Sequence, residues 1–358
     1  MTSPHGKKAG AAGRVVVLAT GGTIAGAACQ TEAAGYRAAQ LDVAALVAAV
    51  PPLQALAAAG RLEARQVAQV DSKDMAAAVW RELLAAAQDA LGRPDVAGVV
   101  VTHGTDTLEE TAYLLHRLLA PARPVVLTAA MRPATDPSAD GPANLLDAVR
   151  VAAWPGARGV LAVMDQQVWA GAEVRKQHTW RMPAFGADAG PLAWVERGQV
   201  RLLRAWPDAA GRDAGPWLEQ DGLEAARDPA QPAAGDIPPA ASPAALQAAL
   251  QAALDPQRAW PWVEIVHSHA GADGRVVRLL LDAGVQGLVA ACTGHGTLHQ
   301  ALEAELLRAA GQGVPVLRAS RVGQGAVWAR EGERLPAAGA CSPAQARVEL
   351  MIRLLAQG

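Results

Sequence analysis

The sequence predicts an α/β protein, with a larger N-terminal domain on a doubly wound, mostly parallel sheet and a smaller C-terminal α/β domain. Three observations predict this. Short β-branched runs recur at residues 15–19, 99–101, 125–127 and 160–163, each apolar throughout, as in strands buried on both faces. Helical periodicity fills the gaps at 75–91, 108–119 and 144–153, and strand-then-helix repetition implies parallel pairing with right-handed crossovers. The composition then breaks over 206–256, where Pro, Ala, Gly and Asp dominate around PAAGDIPPAASP. This stretch reads as a linker carrying a short helix near 244–254. Beyond it the alternation resumes, with strands at 263–266, 287–290 and 314–318 and helices at 276–281, 298–309 and 343–355. The expected organisation is a disordered tail over 1–13, an N-terminal domain over 14–207, a linker over 208–258 and a C-terminal domain over 259–358. No internal repeat or heptad pattern is present.

The totals narrow the function classes. Of 358 residues, 51% are hydrophobic and 18% charged, a globular composition. A net charge of −2 gives no electrostatic footprint for nucleic acid or an anionic membrane. Cys29, Cys292 and Cys341 are odd in number and widely spaced, which suits a reducing compartment. The apolar VVVLA run is too short for a leader core or a span, so a cytoplasmic protein is expected.

The first apolar run opens into RVVVLATGGTIAG, residues 14–26. Its glycines, Gly21, Gly22 and Gly26, do not have dinucleotide-fingerprint spacing, and no Gly-Lys-Ser/Thr follows. What remains is a strand, a flexible glycine pair and a hydroxyl, Thr23, at the carboxyl edge of the sheet, where open α/β sheets bind ligands. A tight turn with Thr23 capping a helix is the plainer alternative. A second hydroxyl occupies a similar place in VVVTHGTDTLEETAYLL, residues 99–115. There Gly104 turns the chain and Thr105 and Asp106 precede a helix. Asp106 and Glu109 have capping-box spacing, and Thr102 or Thr105 is a further capping candidate.

A threonine hydroxyl needs a base or a nearby cation to become a nucleophile. Tyr36, in AAGYRAAQ, and Lys176, in EVRKQHTW, are candidates. Without further information the first reads as a packing residue and the second as a surface charge.

Together these segments resemble the bacterial-type L-asparaginases of the asparaginase/glutaminase family. The residues that carry the resemblance are ATGGTIAG (19–26), THGTDTLEETA (102–112) and AAMRP followed by SADGPANLLDAV (129–149), with support from DSKDM (71–75), RGVLAVM (158–164) and SPAQARV (342–348). The resemblance implies hydrolysis of the asparagine side-chain amide, with glutamine as a variable second substrate and no cofactor or metal. It also implies a homotetramer built from intimate dimers, with active sites between subunits. Thr23 matches the flexible-loop nucleophile and Tyr36 the tyrosine that activates it. Thr105, Asp106 and Lys176 match the second threonine, its aspartate and its lysine. Ser72 matches the serine that holds the substrate α-carboxylate, with Asp71 beside it, while Asp106 takes the α-amino group. Ala130 matches the residue whose carbonyl faces the scissile amide. Gly22 and Gly104 let backbone N–H groups approach a tetrahedral centre. Residues 26–41, which include Tyr36, are the expected lid.

The sequence departs from the family pattern in places. Asp71-Ser72-Lys73 stands where members often have Gly-Ser-Gln, putting charge at the carboxylate corner. The asparagine by which many members reach a neighbouring site falls near Gly271, in IVHSHAGADG, and the loop glutamate falls on Glu331 or Glu333. His267 and His269, with His295 and His299, have spacings that a zinc site can use, although polar lining of an interface is the preferred reading. Ten tryptophans against one phenylalanine are expected to fill core and interface.

Alternative readings are a glutaminase-leaning member, a transamidation subunit and a non-catalytic amino-acid binder on the same scaffold. The short stretch before the first strand argues against the transamidation subunit, which is expected to carry an extra N-terminal domain. A binder has no need of both threonines and the lysine.

Overall fold

The computed structural model describes residues 13–28, 36–207, 242–330 and 332–357. The tail expected over 1–13, apart from Gly13, and most of the expected linker lie outside the described residues, as does Cys29. The N-terminal region begins with β1 (Arg14–Gly21), β2 (Ala27–Ala28), β3 (Tyr36–Arg37), α1 (Val43–Ala48), α2 (Pro51–Ala58) and β4 (Leu62–Val70). It continues through α3 (Ala77–Gly92), β5 (Val96–Thr102), α4 (Leu108–Leu119), β6 (Val125–Thr128), α5 (Gly141–Ala152) and β7 (Val160–Met164). It closes with β8 (Gln167–Ala170), β9 (Arg175–Lys176), β10 (Phe185–Gly186), β11 (Ala193–Glu196) and β12 (Gln199–Leu202).

Eight of these strands form one sheet in the order β12-β11-β8-β7-β6-β5-β1-β4. The pairs from β4 through β7 are parallel, and those from β7 through β12 are antiparallel. From β1 the chain goes to β4 on one side, while from β5 it goes to β6 on the other. The strand order therefore reverses between β1 and β5, and the loops leaving their carboxyl ends diverge around a crevice. The Val-rich β1, β5, β6 and β7 are buried along nearly their whole length because helices cover both faces. Core residues of α3 and α4 pack with one face, and those of α1, α2 and α5 with the other.

The sequence reading did not include β4, β8, β11, β12, α1 or α2. β4 is an edge strand with polar, half-exposed residues, and β11 alternates buried Ala193 and Val195 with exposed Trp194 and Glu196. Neither shows the continuous apolar run that marks a central strand. Asp165 and Gln166 take positive φ, 51° and 60°, at the two-residue turn joining β7 to β8. Such a turn matches strand twist.

The C-terminal region contains α6 (Pro243–Leu254), β13 (Val263–His267), α7 (Arg275–Asp282), β14 (Gly287–Cys292), α8 (Gln300–Gly311), β15 (Val316–Ser320) and α9 (Pro343–Leu355). Its three strands pair in parallel in the order β13-β14-β15. The helix expected inside the linker is a packing element. α6 buries Ala249, Leu250, Ala252 and Ala253, and Arg81 on α3 donates to the Ala253 carbonyl at 3.0 Å. The small alanines let α6 lie against α3, α4 and α9.

α4 and α9 join the two regions through a buried ionic cluster. Glu349 accepts from Arg117 Nε at 2.9 Å, Arg353 Nε at 2.9 Å and the Tyr113 hydroxyl at 3.1 Å. Burial alone would raise the Glu349 pKa, but the two guanidiniums outweigh it and hold the carboxylate down to about 2. The tryptophans divide between settings. Trp80 is buried, with its ring centroid 5.5 Å from that of Trp260. Trp180 is 81% exposed, in the loop between β9 and β10.

Candidate active site

The crevice between β1 and β5 is built from backbone contacts. Gly22 has φ 82° and ψ −174°, a conformation essentially reserved for glycine. A Cβ on it would overlap the Gly104 Cα and N. The turns after the two strands thus touch, bringing the Thr23 and Thr105 loops side by side. Thr20 hydroxyl donates to the Thr102 carbonyl at 2.9 Å and so is used in tying β1 to β5. Thr23 begins a short 3-10 turn (Thr23–Ala25) and is buried. The N-cap position there belongs to Gly22, without a side-chain cap bond, so Thr23 is not the helix cap of the plainer reading.

A buried relay supports the Thr105 turn. Trp80 Nε1 donates to Thr111 Oγ1 at 2.8 Å. The Thr111 oxygen lies 2.9 Å from His103 Nε2, and His103 Nδ1 lies 2.8 Å from the Gly104 carbonyl. These contacts fit a neutral imidazole with its proton on Nδ1. Complete burial lowers the His103 pKa to about 4, against the opposing pull of the Gly104 carbonyl.

The expected capping box does not form at α4. Its N-cap is Thr107, with no side-chain cap bond. Asp106 and Glu109 turn instead to Lys176. Lys176 Nζ donates to Thr105 Oγ1 at 2.9 Å and pairs with Asp106 Oδ1 at 2.5 Å. Glu109 Oε2 accepts the Lys176 backbone N–H at 3.1 Å, while Glu109 Oε1 accepts the Ser342 hydroxyl at 3.0 Å. Burial pushes the Glu109 pKa up, and these two bonds oppose that shift. The carboxylates serve long-range contacts because the sheet delivers β9, some 70 residues away in sequence, to the start of α4.

Ser72 is buried at the other side of Gly104 and accepts the Asp106 N–H at 3.2 Å. Thr107 hydroxyl donates to the Ser72 carbonyl at 2.8 Å. Asp71 caps the turn by accepting from Lys73 N. The Lys73 side chain is exposed and pairs with Asp74, which raises its pKa, with Asp71 and Asp106 adding to the shift. Lys73 thus faces solvent while contributing positive charge to this corner.

The segment holding Ala130 is shaped by its own motif. Asp140 accepts the Met131 and Arg132 N–H groups, each at 3.0 Å. Asn144 donates to the Ala129 carbonyl at 2.9 Å and accepts the Asp165 N–H at 3.0 Å. A small cavity beside Ala130 also touches Thr105, Met131, Asp165, Met182 and Phe185.

Other expected residues lie elsewhere or beyond description. The Tyr36 backbone pairs with Ala28 in β3, but its side chain lies outside the described residues, as do Glu331 and residues 29–35 of the expected lid. Glu333 forms an ion pair with buried Arg318 in the C-terminal region. Gly271 is exposed in open space. Among the described residues no group of three or more His, Cys, Asp or Glu side chains is placed to hold a metal ion. His299 instead caps α8, accepting from Ala301 N at 3.2 Å.

The comparisons with known proteins agree with this frame. The asparaginase N-terminal family model matches residues 14–207, and the glutaminase/asparaginase C-terminal domain model matches residues 262–358. The chain belongs to the asparaginase/glutaminase family. Among curated members it is 34% identical to L-asparaginase 2 of Escherichia coli (strain K12), over 95% of this chain and 88% of that protein. It is 31% identical to the glutaminase-asparaginase of Pseudomonas fluorescens biotype A, over 89% and 78%. A crystal structure of a probable cytoplasmic L-asparaginase from Campylobacter jejuni superposes with a TM-score of 0.77 at 31% identity, covering 96% of this chain and 95% of that one. The family fold is thus present, with its larger, mainly parallel N-terminal sheet and smaller C-terminal parallel sheet.

Sequence reasoning gave no site role to Glu109, His103, Ser342 or Gln345. The first was read as a cap and the last two lay within a supporting motif. The only available signal was their presence in THGTDTLEETA and SPAQARV.

Proposed function

We propose that this protein hydrolyses the side-chain amide of L-asparagine to L-aspartate and ammonia through a threonine acyl-enzyme. The observation that carries the reading is the Lys176–Thr105–Asp106 contact, set at the diverging strand ends beside the Thr23 turn.

Thr23 attacks the carboxamide carbon, with Tyr36 taking its hydroxyl proton. Backbone N–H groups at the glycine turns stabilise the tetrahedral oxyanion. Tyr36 passes that proton to the amide nitrogen, and ammonia leaves as the C–N bond breaks, giving an ester to Thr23. Water oriented by Thr105 and Lys176 then attacks the ester carbon, releasing aspartate and regenerating the threonine. Ser72 donates its hydroxyl proton to the substrate α-carboxylate, and the Asp106 carboxylate receives the α-ammonium group. Ala130 presents its carbonyl to the scissile amide, and Asp71 shapes the carboxylate corner. The chemistry calls for no cofactor or metal.

Glutamine is the second substrate to measure, since relatives include proteins named glutaminase-asparaginase. We also infer a cytoplasmic homotetramer of intimate dimers. Cysteines without disulfides at Cys292 and Cys341 and the name of the Campylobacter jejuni neighbour support the compartment, although a relative from Haemophilus influenzae is named periplasmic. Light scattering after gel filtration reads the oligomer directly.

The deciding experiment is a coupled ammonia assay on L-asparagine, L-glutamine and their D-isomers, with wild type and Thr23→Ala. Release from L-asparagine by wild type and its loss in Thr23→Ala is the expected result. Robust release by the variant overturns the role of Thr23, and no release by wild type from any amide overturns the enzyme reading.

A further inference from the structure

The base of Lys176 is held from the C-terminal region. Glu109 occupies the first turn of α4 and is bonded on both carboxylate oxygens, to the Lys176 N–H and to the Ser342 hydroxyl. Ser342 is also the N-cap of α9, where it accepts Gln345 N at 3.1 Å within a complete capping box. The Gln345 side-chain nitrogen donates to the carbonyls of Ala172 at 3.2 Å and Val174 at 3.3 Å. Arg175 spans the same boundary, donating to the carbonyls of Gly323 at 3.0 Å and Ala340. The strand that delivers Lys176 is therefore gripped at residues 172, 174, 175 and 176, and each grip leads to residues of the C-terminal region. A cleft of about 420 Å³ runs along this boundary, lined by Glu109, Lys176 and Ser342 among others.

The grip bears on geometry that matters. β9 is only two residues long and pairs with a two-residue partner, Lys176 facing Phe185, so its own ladder cannot fix the lysine. A displacement of about 1 Å at a reacting group can cost about a hundredfold in rate. Fixing the backbone N–H of Lys176 fixes where its Nζ meets Thr105 and Asp106.

Resting on the proposed amidohydrolase reading, we propose that Glu109 is a positioning residue that sets Lys176 against Thr105, and that Ser342 at the α9 N-terminus sets Glu109. Glu109 touches no substrate and acts through Lys176.

The test compares Glu109→Ala, Lys176→Met and the double variant on L-asparagine. Glu109→Ala is expected to lower kcat at least tenfold with KM within about twofold, and to add nothing in the Lys176→Met background. Glu109→Gln is expected to recover most of kcat, because its amide oxygen still accepts the Lys176 N–H and its nitrogen donates to Ser342. Losses that multiply in the double variant, or a rise in KM with kcat unchanged, overturn the proposal. Should Glu109→Ala fail to fold, Ser342→Asp carries the test, since aspartate keeps the α9 cap but opposes the Glu109 carboxylate. It is expected to lower kcat several-fold while Ser342→Asn does not, and equal activity of the two overturns the proposal. A readout without substrate separates this from the function. The rate at which an acetylating reagent modifies Lys176, followed by peptide mass spectrometry, is expected to rise at least threefold in Glu109→Ala, or in Ser342→Asp if that variant replaces it. An unchanged rate overturns the positioning role whether or not the wild type releases ammonia.

Discussion

Gly22 and Gly104 are in backbone contact, so closely that a side-chain carbon on Gly22 would strike Gly104 and stand 2.7 Å from the His103 carbonyl carbon. Two turns from separate strands are thereby held as one surface. Gly22→Ala is expected to destabilise the fold by about 2–4 kcal/mol, combining strained φ with overpacking, and to abolish ammonia release. Gly104→Ala meets Ser72 Oγ instead and has no positive φ, so its main effect is a raised KM for asparagine as Ser72 shifts. Urea melts and steady-state kinetics on both variants check the contrast.

Lys176 bridges a hydroxyl and a carboxylate. Lys176→Met removes that cation and is expected to lower kcat by about 10²–10⁴-fold, the usual size of a proton-transfer or orienting contribution. Lys176→Arg is expected to recover little, because a planar guanidinium cannot reproduce the compact ammonium contact. Single-turnover acylation and deacylation rates locate the affected step, which for a water-orienting lysine is deacylation.

Glu349 is the anion between Arg117 and Arg353. Its carboxyl pKa is lower folded than unfolded, so its stabilisation is complete above the unfolded value near 4.5 and fades as pH falls toward about 2. Glu349→Ala leaves two buried guanidiniums without this partner and is expected to cost about 3–5 kcal/mol. Denaturant titrations at pH 7 and below pH 4 test both statements, because the wild-type and variant curves converge in acid.

His103 is neutral and enclosed, with a folded pKa near 4 against 6.5 unfolded. Between those values the unfolded chain binds a proton that the native state refuses. Stability therefore falls as pH drops from 6.5 to 4, by up to about 1.4 kcal/mol per unit from this group. An NMR titration should show no His103 transition above pH 5. In His103→Gln the corresponding slope of stability with pH should disappear.

The central strands β1, β5, β6 and β7 were legible because burial on both faces forces continuous apolar runs, and the two threonine turns because glycine and hydroxyl residues follow those runs directly. The edge strands were not, since one open side permits polar residues such as Glu63 and Arg65. Asp106 and Glu109 show a related limit. Their spacing fits a cap, yet both carboxylates are engaged by residues distant in sequence.

By itself the sequence determined the alternation of strands and helices and the family, and it nominated the side chains proposed to react, because these depend on local periodicity and short motifs. Only the tertiary structure decided that α9 anchors the strand bearing Lys176, that α6 belongs to the core, and that Glu109 is a strut. Hydrogen bonds between residues more than sixty positions apart are set by how the sheet brings chain segments together, and no local pattern records that proximity.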